Sequence, residues 1–389
     1  MWEITPENAV DYLRASRLWA DEVLGVEPLG WGVSNLVLRI RTAQRWYVLK
    51  QSRPQLRTKE LWRSDPDRIF REAQALQALA PLLPVGVVPQ VFHVDHNNYC
   101  LLMEHAPPQA AVWKGELLAG RITLPVAGFA GYVLGRIHEA TRCHSDWQQA
   151  FSDRRFFWQL RTEPFYLRLL PRHPEVAEVL RSLVHRLDHH AEALCHGDFT
   201  PKNFLVWPDR NDGFFTLVDY EVVCFGDPAF DLGLFLAHLL LKAIRLAYPL
   251  TEYWHMPTHT PHGSSSLSRA ASSVPPWTEQ MLVLTRQFWS SYRQHAPSVC
   301  TSEHEHWSRL HCGACMLTRI DGTSPVDYLP DEPLRQLVRH FARSLLLAPP
   351  SSWDEVITRL QTLLREQVRP ETQSALSRGH YFSQQEENS

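Results

Sequence analysis

The stretch CHGDFTPKNFLV, residues 195–206, followed by LVDYE at 217–221, decides how the rest of the chain is read. It sets His196, Gly197 and Asp198 side by side, with Asn203 five residues after Asp198 and Asp219 sixteen residues further on. The flanking runs FLVW and FFTLVD are short and apolar. Pro208 to Gly213 between them supply a turn, so the segment reads as a short hairpin. Asp198 and Asn203 match the spacing D-x-x-x-x-N, which on a loop brings a carboxylate and an amide oxygen close together. Asp219 ends an apolar strand, a place from which a further carboxylate is presented. Taken singly, an Asp or Asn here caps a turn. Taken in order, the set supplies parts of different kinds that phosphoryl transfer needs. A carboxylate orients an acceptor hydroxyl and takes its proton, while oxygen ligands hold a metal that meets the donor phosphates.

Composition is compatible with that chemistry. The chain has 389 residues, enough for two packed units or one two-lobed enzyme. It is 44% hydrophobic and 21% charged, as a folded globular protein is and a disordered one is not. A net charge of −3 with scattered signs lacks the basic footprint of a nucleic-acid binder. The N-terminus carries acids and no apolar core, unlike a signal peptide. The longest apolar stretch, LGLFLAHLLL at 232–241, is too short to span a bilayer. Seven widely spaced cysteines, an odd number, argue for free thiols. The expectation is a soluble cytoplasmic protein with no nucleic-acid or membrane partner.

Along the chain, Thr5-Pro6 opens a helix, and EVLGVEPLG, NLVLRIRT and RWYVLKQS follow as three strands. In SDPDRIFREAQALQALAPLL, Asp65 reads as a cap, and Ile69, Ala73, Leu76 and Leu79 recur at helical spacing. VPQVFHVD and YCLLMEHA are two more strands. Beyond residue 106 the pattern is helical over 125–141, 153–170, 174–194, 228–246, 276–295, 302–319, 331–347 and 351–368. A Pro/Ser/His-rich loop spans 255–276, and a polar tail begins near 371.

The ordered set HGDFTPKN, VDYE and GDPAFDLG resembles the aminoglycoside phosphotransferase and choline kinase superfamily, whose fold is similar to that of the protein kinases. The resemblance covers residues 21–345. It implies an α+β, two-lobed protein-kinase-like fold, with a nucleotide-binding lobe over 1–104, a catalytic and acceptor-binding lobe over 105–370 and a flexible tail over 371–389. It implies ATP and Mg2+ as cofactors and a small-molecule hydroxyl acceptor as partner. Asp198 would be the catalytic carboxylate, and Asn203 and Asp219 the metal ligands. His196 and Asp231 would support the catalytic loop, with Asp227 as the cap of the following helix. Lys50 on the third strand would meet the phosphates, paired with Glu72 on the next helix. Gly30, Gly32, Ser34 and Asn35, in the turn LGWGVSNL before the lysine strand, would approach the phosphates. Backbone from Glu104 to Ala106 would meet the adenine edge.

Tyr-Glu follows Asp219 where protein kinases have Phe-Gly, and no Ala-Pro-Glu segment comes after it. Both departures favour a small-molecule kinase over a protein kinase. Glu221 touches magnesium or substrate, or is a solvated acid. Arg319 and Asp321, at the end of a late helix, are candidates for the acceptor pocket or form a salt-bridged helix end. FDLGLFLAHLLLKA is similar to the methylthioribose kinases, although HGDFTPKN differs from their usual loop. Sugars, amino alcohols, aminoglycosides, homoserine and fructosamines all stay open as acceptors. A cationic acceptor would need an acidic pocket. A non-catalytic nucleotide-binding scaffold is the rival from another class. Cys312 and Cys315, near three histidines, have zinc-like spacing but lie in a helical pattern.

Overall fold

A computed structural model describes residues 2–16, 22–30, 35–55, 64–248 and 275–368. The chain begins with α1 (Ala9–Ala15) and the strands β1 (Val23–Pro28), β2 (Asn35–Thr42) and β3 (Trp46–Ser52). Helix α2 (Arg68–Leu79) precedes β4 (Val91–Asp95) and β5 (Cys100–Glu104), and the five strands form one antiparallel sheet in the order β1-β2-β3-β5-β4. Strand alternation sorts the side chains between two faces. Leu36, Leu38, Ile40 and Leu49 join Tyr12 and Leu13 of α1 in a small core. Val48 and Leu101 face the other way and pack with Ile69, Ala73 and Leu76 of α2 in the main core. Lys50 shares this second face, because it is two residues from Val48 and pairs with Leu101 in the ladder. Helix α2 starts after Asp67, and Asp65 does not cap it. The Asp65 carboxylate meets the Gln159 amide instead, which ties the start of α2 to the helical part of the chain.

The remainder is mostly helical. Strand β6 (Ala111–Val112) leads into α3 (Trp113–Leu118), followed by α4 (Leu124–Thr141), α5 (Ser145–Phe151) and α6 (Arg155–Phe157). The expected helix over 153–170 widens into a π-helix at Trp158–Leu167, where Pro164 lacks the N–H that a regular α-helical ladder would use. A 3-10 turn and α7 (Ala177–His189) come next. That helix stops short of 194 because β7 (Ala193–Cys195) is drawn out to pair antiparallel with β10 (Cys224–Gly226). Between them, β8 (Phe204–Val206) and β9 (Phe215–Leu217) form the expected hairpin, with β6 added on its edge. The chain closes with α8 (Pro228–Ala247), α9 (Pro276–His295), α10 (Ser302–Asp321), α11 (Glu332–Leu347) and α12 (Trp353–Val368).

Helix α8 is the axis of this part, buried around nearly its whole circumference. Gly233 lets α10 approach it: a Cβ there would lie 2.5 Å from the Ser308 carbonyl oxygen. Asp227 caps α8 by accepting from the Ala229 N–H, with Pro228 in the first turn. Among the described residues no helix is long and apolar enough to cross a membrane. The loop 255–276 lies largely, and the tail from 371 wholly, outside the described residues.

Candidate active site

The loop His196–Asn203 leaves β7 and enters β8, and its geometry is set from below by α8. In the first turn of α8, Asp231 accepts hydrogen bonds from the backbone N–H of His196 at 2.6 Å and of Gly197 at 2.8 Å. Asp231 is fully buried, and charge-assisted bonds of this kind fix a backbone firmly. The His196 ring accepts the Asp198 N–H at Nδ1, 3.2 Å away. Burial holds its pKa below the ordinary value, so it orients the loop as a neutral ring. Gly197 has φ +73°, and a Cβ there would meet Val222 Cγ2 at 2.9 Å. Only glycine fits both restrictions.

Asp198 is buried among charges of opposite sign. Its Oδ1 lies 2.9 Å from Arg161 Nη2, and its Oδ2 lies 2.8 Å from Lys202 Nζ. Burial alone would raise its pKa, but Arg161 and Lys202 outweigh that and hold it below the ordinary value. Asn203 Nδ2 donates to both the Asp198 carbonyl oxygen, at 2.8 Å, and Oδ2, at 2.9 Å. The amide nitrogen therefore faces the carboxylate, and Oδ1 is the atom available to a cation.

Asp219 follows β9 with φ +73°, a left-handed backbone that is uncommon outside glycine. Strain of this kind persists only where the surroundings over-determine it. Here Lys50 Nζ lies 2.8 Å from Asp219 Oδ1 and 2.6 Å from Glu72 Oε2. One buried ammonium thus joins the sheet, α2 and the strand carrying Asp219. Burial opposes ionisation of Asp219, yet Lys50 and Lys202 together hold its pKa far below the usual carboxylate range. Burial pushes Glu72 up, against the pull of Lys50. Lys50 itself stays charged: burial works against it, but Asp219 and Glu72 outweigh burial.

Other expected residues are placed differently. Glu221 Oε2 accepts from Arg68 Nε at 3.0 Å and from Asn35 Nδ2 at 2.8 Å. It is not a solvated acid, and it draws the Asn35 side chain into a buried cluster with Arg68. Gly30 is described, but a Cβ on it would meet nothing within 4 Å; Gly32 and Ser34 lie outside the described residues. Glu104 closes β5 and donates its N–H to Gln90 O, while Ala106 is buried just beyond. Asp321 is held by Arg339 at 2.7 Å and by His173 at 3.0 Å, so its carboxylate belongs to an ion-pair cluster between α10 and α11. Arg319 is different: it forms no ion pair among the described residues, and its buried Nε has no hydrogen-bond partner there. The charges of Asp198 and Arg161 both act on it. Cys312 and Cys315 are buried inside α10, with Cys315 Sγ 3.9 Å from the Tyr166 hydroxyl.

Three charged neighbours of the site escaped the sequence reading. Lys202 stands inside the quoted motif, at i+4 from Asp198, where the short 3-10 turn Pro201–Asn203 brings it back. Arg161 lies on the π-helix, and no local pattern marks it. Arg68 looks like an ordinary exposed helical arginine in sequence, yet it is fully buried.

Comparison with known proteins places the chain in a family. A family model described as "Phosphotransferase enzyme family" matches residues 25–256. Methylthioribose kinase of Yersinia enterocolitica is 25% identical over 417 residues, covering 92% of this chain and 98% of that protein. Methylthioribose kinase 1 of Oryza sativa is 24% identical over 252 residues, where the match spans 57% of this chain and 56% of the relative. Among solved structures, amicoumacin kinase hAmiN in complex with AMP-PNP, Ca2+ and Ami aligns with a TM-score of 0.50 at 13% identity, covering 89% of this chain and 95% of that one. That likeness is one of fold, two-lobed and kinase-like.

Proposed function

Because the chain belongs to the phosphotransferase enzyme family, we propose that it moves the γ-phosphate of ATP to a hydroxyl of a small, sugar-like metabolite. Residues 1–104 would hold the nucleotide and residues 105–370 the catalytic loop and acceptor. The observation that carries this reading is the buried Lys50–Asp219 pair, which joins the two parts beside Asp198. The methylthioribose kinases, one of them similar over nearly its whole length, support a sugar-like acceptor.

In the proposed reaction, Asp198 accepts a hydrogen bond from the acceptor hydroxyl, and the hydroxyl oxygen attacks the γ-phosphorus in line. The new O–P bond forms as the bond to the β–γ bridging oxygen breaks, the proton passes to Asp198, and ADP leaves. Arg161 and Lys202 keep Asp198 ionised before attack, and Lys202 also places positive charge beside the transferring group. Lys50 aligns the phosphates. Asn203 Oδ1 and the Asp219 carboxylate are an all-oxygen donor pair suited to a hard divalent cation, which we assign as Mg2+. When bound, that ion supplies charge neutralisation on the phosphates. The remaining residues work by positioning, which the Asp231 and Gly197 geometry secures. All seven cysteines are free, which supports a reducing, cytoplasmic setting.

Calorimetric titration of Mg-ADP tests the nucleotide half of this reading. Wild type should bind, while Lys50→Met and Asp219→Asn should each weaken binding at least tenfold. Equal affinity in all three would overturn the assignment of this site.

A further inference from the structure

Next to Asp198, on the side formed by α3, α8 and α10, the structure gathers positive charge with little to balance it. Lys242 is 1% exposed. Its only hydrogen bond among the described residues goes to the His238 carbonyl oxygen one turn back, at 3.1 Å, and no carboxylate there pairs with it. Its Nζ lies 5.3 Å above the ring of Tyr328, and Lys114 Nζ lies 5.4 Å from the same ring. The Tyr328 hydroxyl is buried without a hydrogen bond, as is Nε of Arg319. Two buried donors and a buried amine thus lack a partner anion among the described residues. Leaving such groups unmet is costly, and more so for charged ones. A helix as apolar as α8 would not keep Lys242 without some compensation in another state.

The surrounding charges agree. After burial, the charges acting most on His238 are Lys242, Arg319, Lys202 and Lys114, all cationic. The one acid that acts on Lys242 is Asp327, which is largely exposed and already paired with Lys114 at 2.9 Å. Helix α3, which carries Lys114, packs against the Pro201–Asn203 turn and against α8. Lys202 of that turn holds Asp198. The group therefore sits beside the proposed catalytic carboxylate, with Lys202 exposed, Lys114 half-buried and Lys242 buried.

We propose that Lys242, Arg319, Lys114 and the Tyr328 hydroxyl form a subsite for the anionic end of the acceptor. The molecule phosphorylated at this site is then a hydroxylated acid carrying a carboxylate, and not a cationic aminoglycoside or amino alcohol. This rests on the kinase reading above and narrows it. Arg319 supplies planar donors that match a carboxylate, Lys242 a point charge in a dry site, and Tyr328 a neutral O–H. A cationic acceptor would enter against Arg319 and Lys114, and against Lys242 whenever that is protonated.

The test uses the full-length protein saturated with Mg-AMP-PNP. Gluconate and ribonate are titrated calorimetrically, beside glucose, ribose and kanamycin as neutral and cationic counterparts. At least one aldonate should bind tenfold or more tightly than its neutral sugar, and kanamycin should not bind. Lys242→Met and Arg319→Gln should each weaken aldonate binding at least tenfold, while Lys242→Arg should retain it within about threefold. Two separate variants guard against one that fails to fold. If neutral sugars or kanamycin bind best, if no aldonate binds, or if both charge-removing variants bind the aldonate as wild type does, the subsite is overturned and the kinase reading stands. Failure of Mg-AMP-PNP itself to bind would remove both.

Discussion

Arg161 Nη2 lies 2.9 Å from Asp198 Oδ1, while its Nε donates to the Gly197 carbonyl oxygen at 2.6 Å. One guanidinium from the π-helix therefore grips both the proposed catalytic carboxylate and the backbone that carries it. Arg161→Met should lower kcat by roughly a hundredfold, the scale expected when a reacting group is misplaced by about an ångström. KM for ATP should change less than kcat, because Arg161 holds Asp198 directly and reaches Asp219 only through its charge. Steady-state kinetics would check the split; an unchanged kcat would contradict the role.

Gly197→Ala tests the same loop through its backbone. At φ +73°, with Val222 Cγ2 2.9 Å from where the new methyl would sit, the substitution must strain the loop or displace the segment before β10. A loss of about 1–3 kcal/mol in urea unfolding is expected from the backbone term. Activity should fall further than stability does, since Asp198 is the next residue.

The Arg68–Glu221 pair is predicted to be structural. Both are buried, with Nε 3.0 Å from Oε2. Removing one partner strands the other charge, so Arg68→Met should cost about 3–5 kcal/mol. Adding Glu221→Met to that variant should cost less than Glu221→Met does alone. Denaturant midpoints of the four proteins would measure the coupling, and strictly additive losses would contradict it.

Lys242 gives a pH-dependent signature. Burial, then the charges of Lys114 and Arg319, push its folded pKa down to about 7 from an ordinary 10.5. Below pH 7 both folded and unfolded states carry the proton, and the full cost of burying the ammonium is present. Between about pH 7 and 10 the unfolded state binds the proton and the folded state does not, so stability rises with pH. Lys242→Met should therefore be more stable than wild type at pH 6, and that advantage should shrink toward pH 10. A pH-independent difference would contradict the shift.

How much of this was legible in sequence follows from what each part depends on. The sheet, α2 and the hairpin carrying Asn203 and Asp219 were readable because alternation and helical spacing are local signals. Lys50 and Glu72 could be paired from element order alone, and the structure brings them to 2.6 Å. The expected helix over 174–194 takes in residues 193 and 194, which are strand instead, because that strand is defined by a partner some thirty residues away and not by its own pattern. Arg161, Arg68, Lys114 and Lys242 were invisible for a related reason. A charged residue on a helix reads as solvated until packing shows what buries it. Of the two readings open for Asp321, pocket residue or salt-bridged helix end, the second describes it, since Arg339 and His173 hold it.

The central claim is that Asp198 directs transfer of the γ-phosphate to a small hydroxylated molecule. The most direct test is ADP release from Mg-ATP across a panel of aldonates, sugars, methylthioribose, amino alcohols and aminoglycosides, with wild type and Asp198→Asn side by side. The account predicts at least one compound that stimulates wild type, gives phosphorylated product in equal amount to ADP, and is turned over 10²- to 10⁴-fold more slowly by the variant, as loss of a general base implies. Equal acceptor-dependent turnover by Asp198→Asn, or Mg-ATP binding with no turnover across the whole panel, would contradict it and favour a nucleotide-binding scaffold.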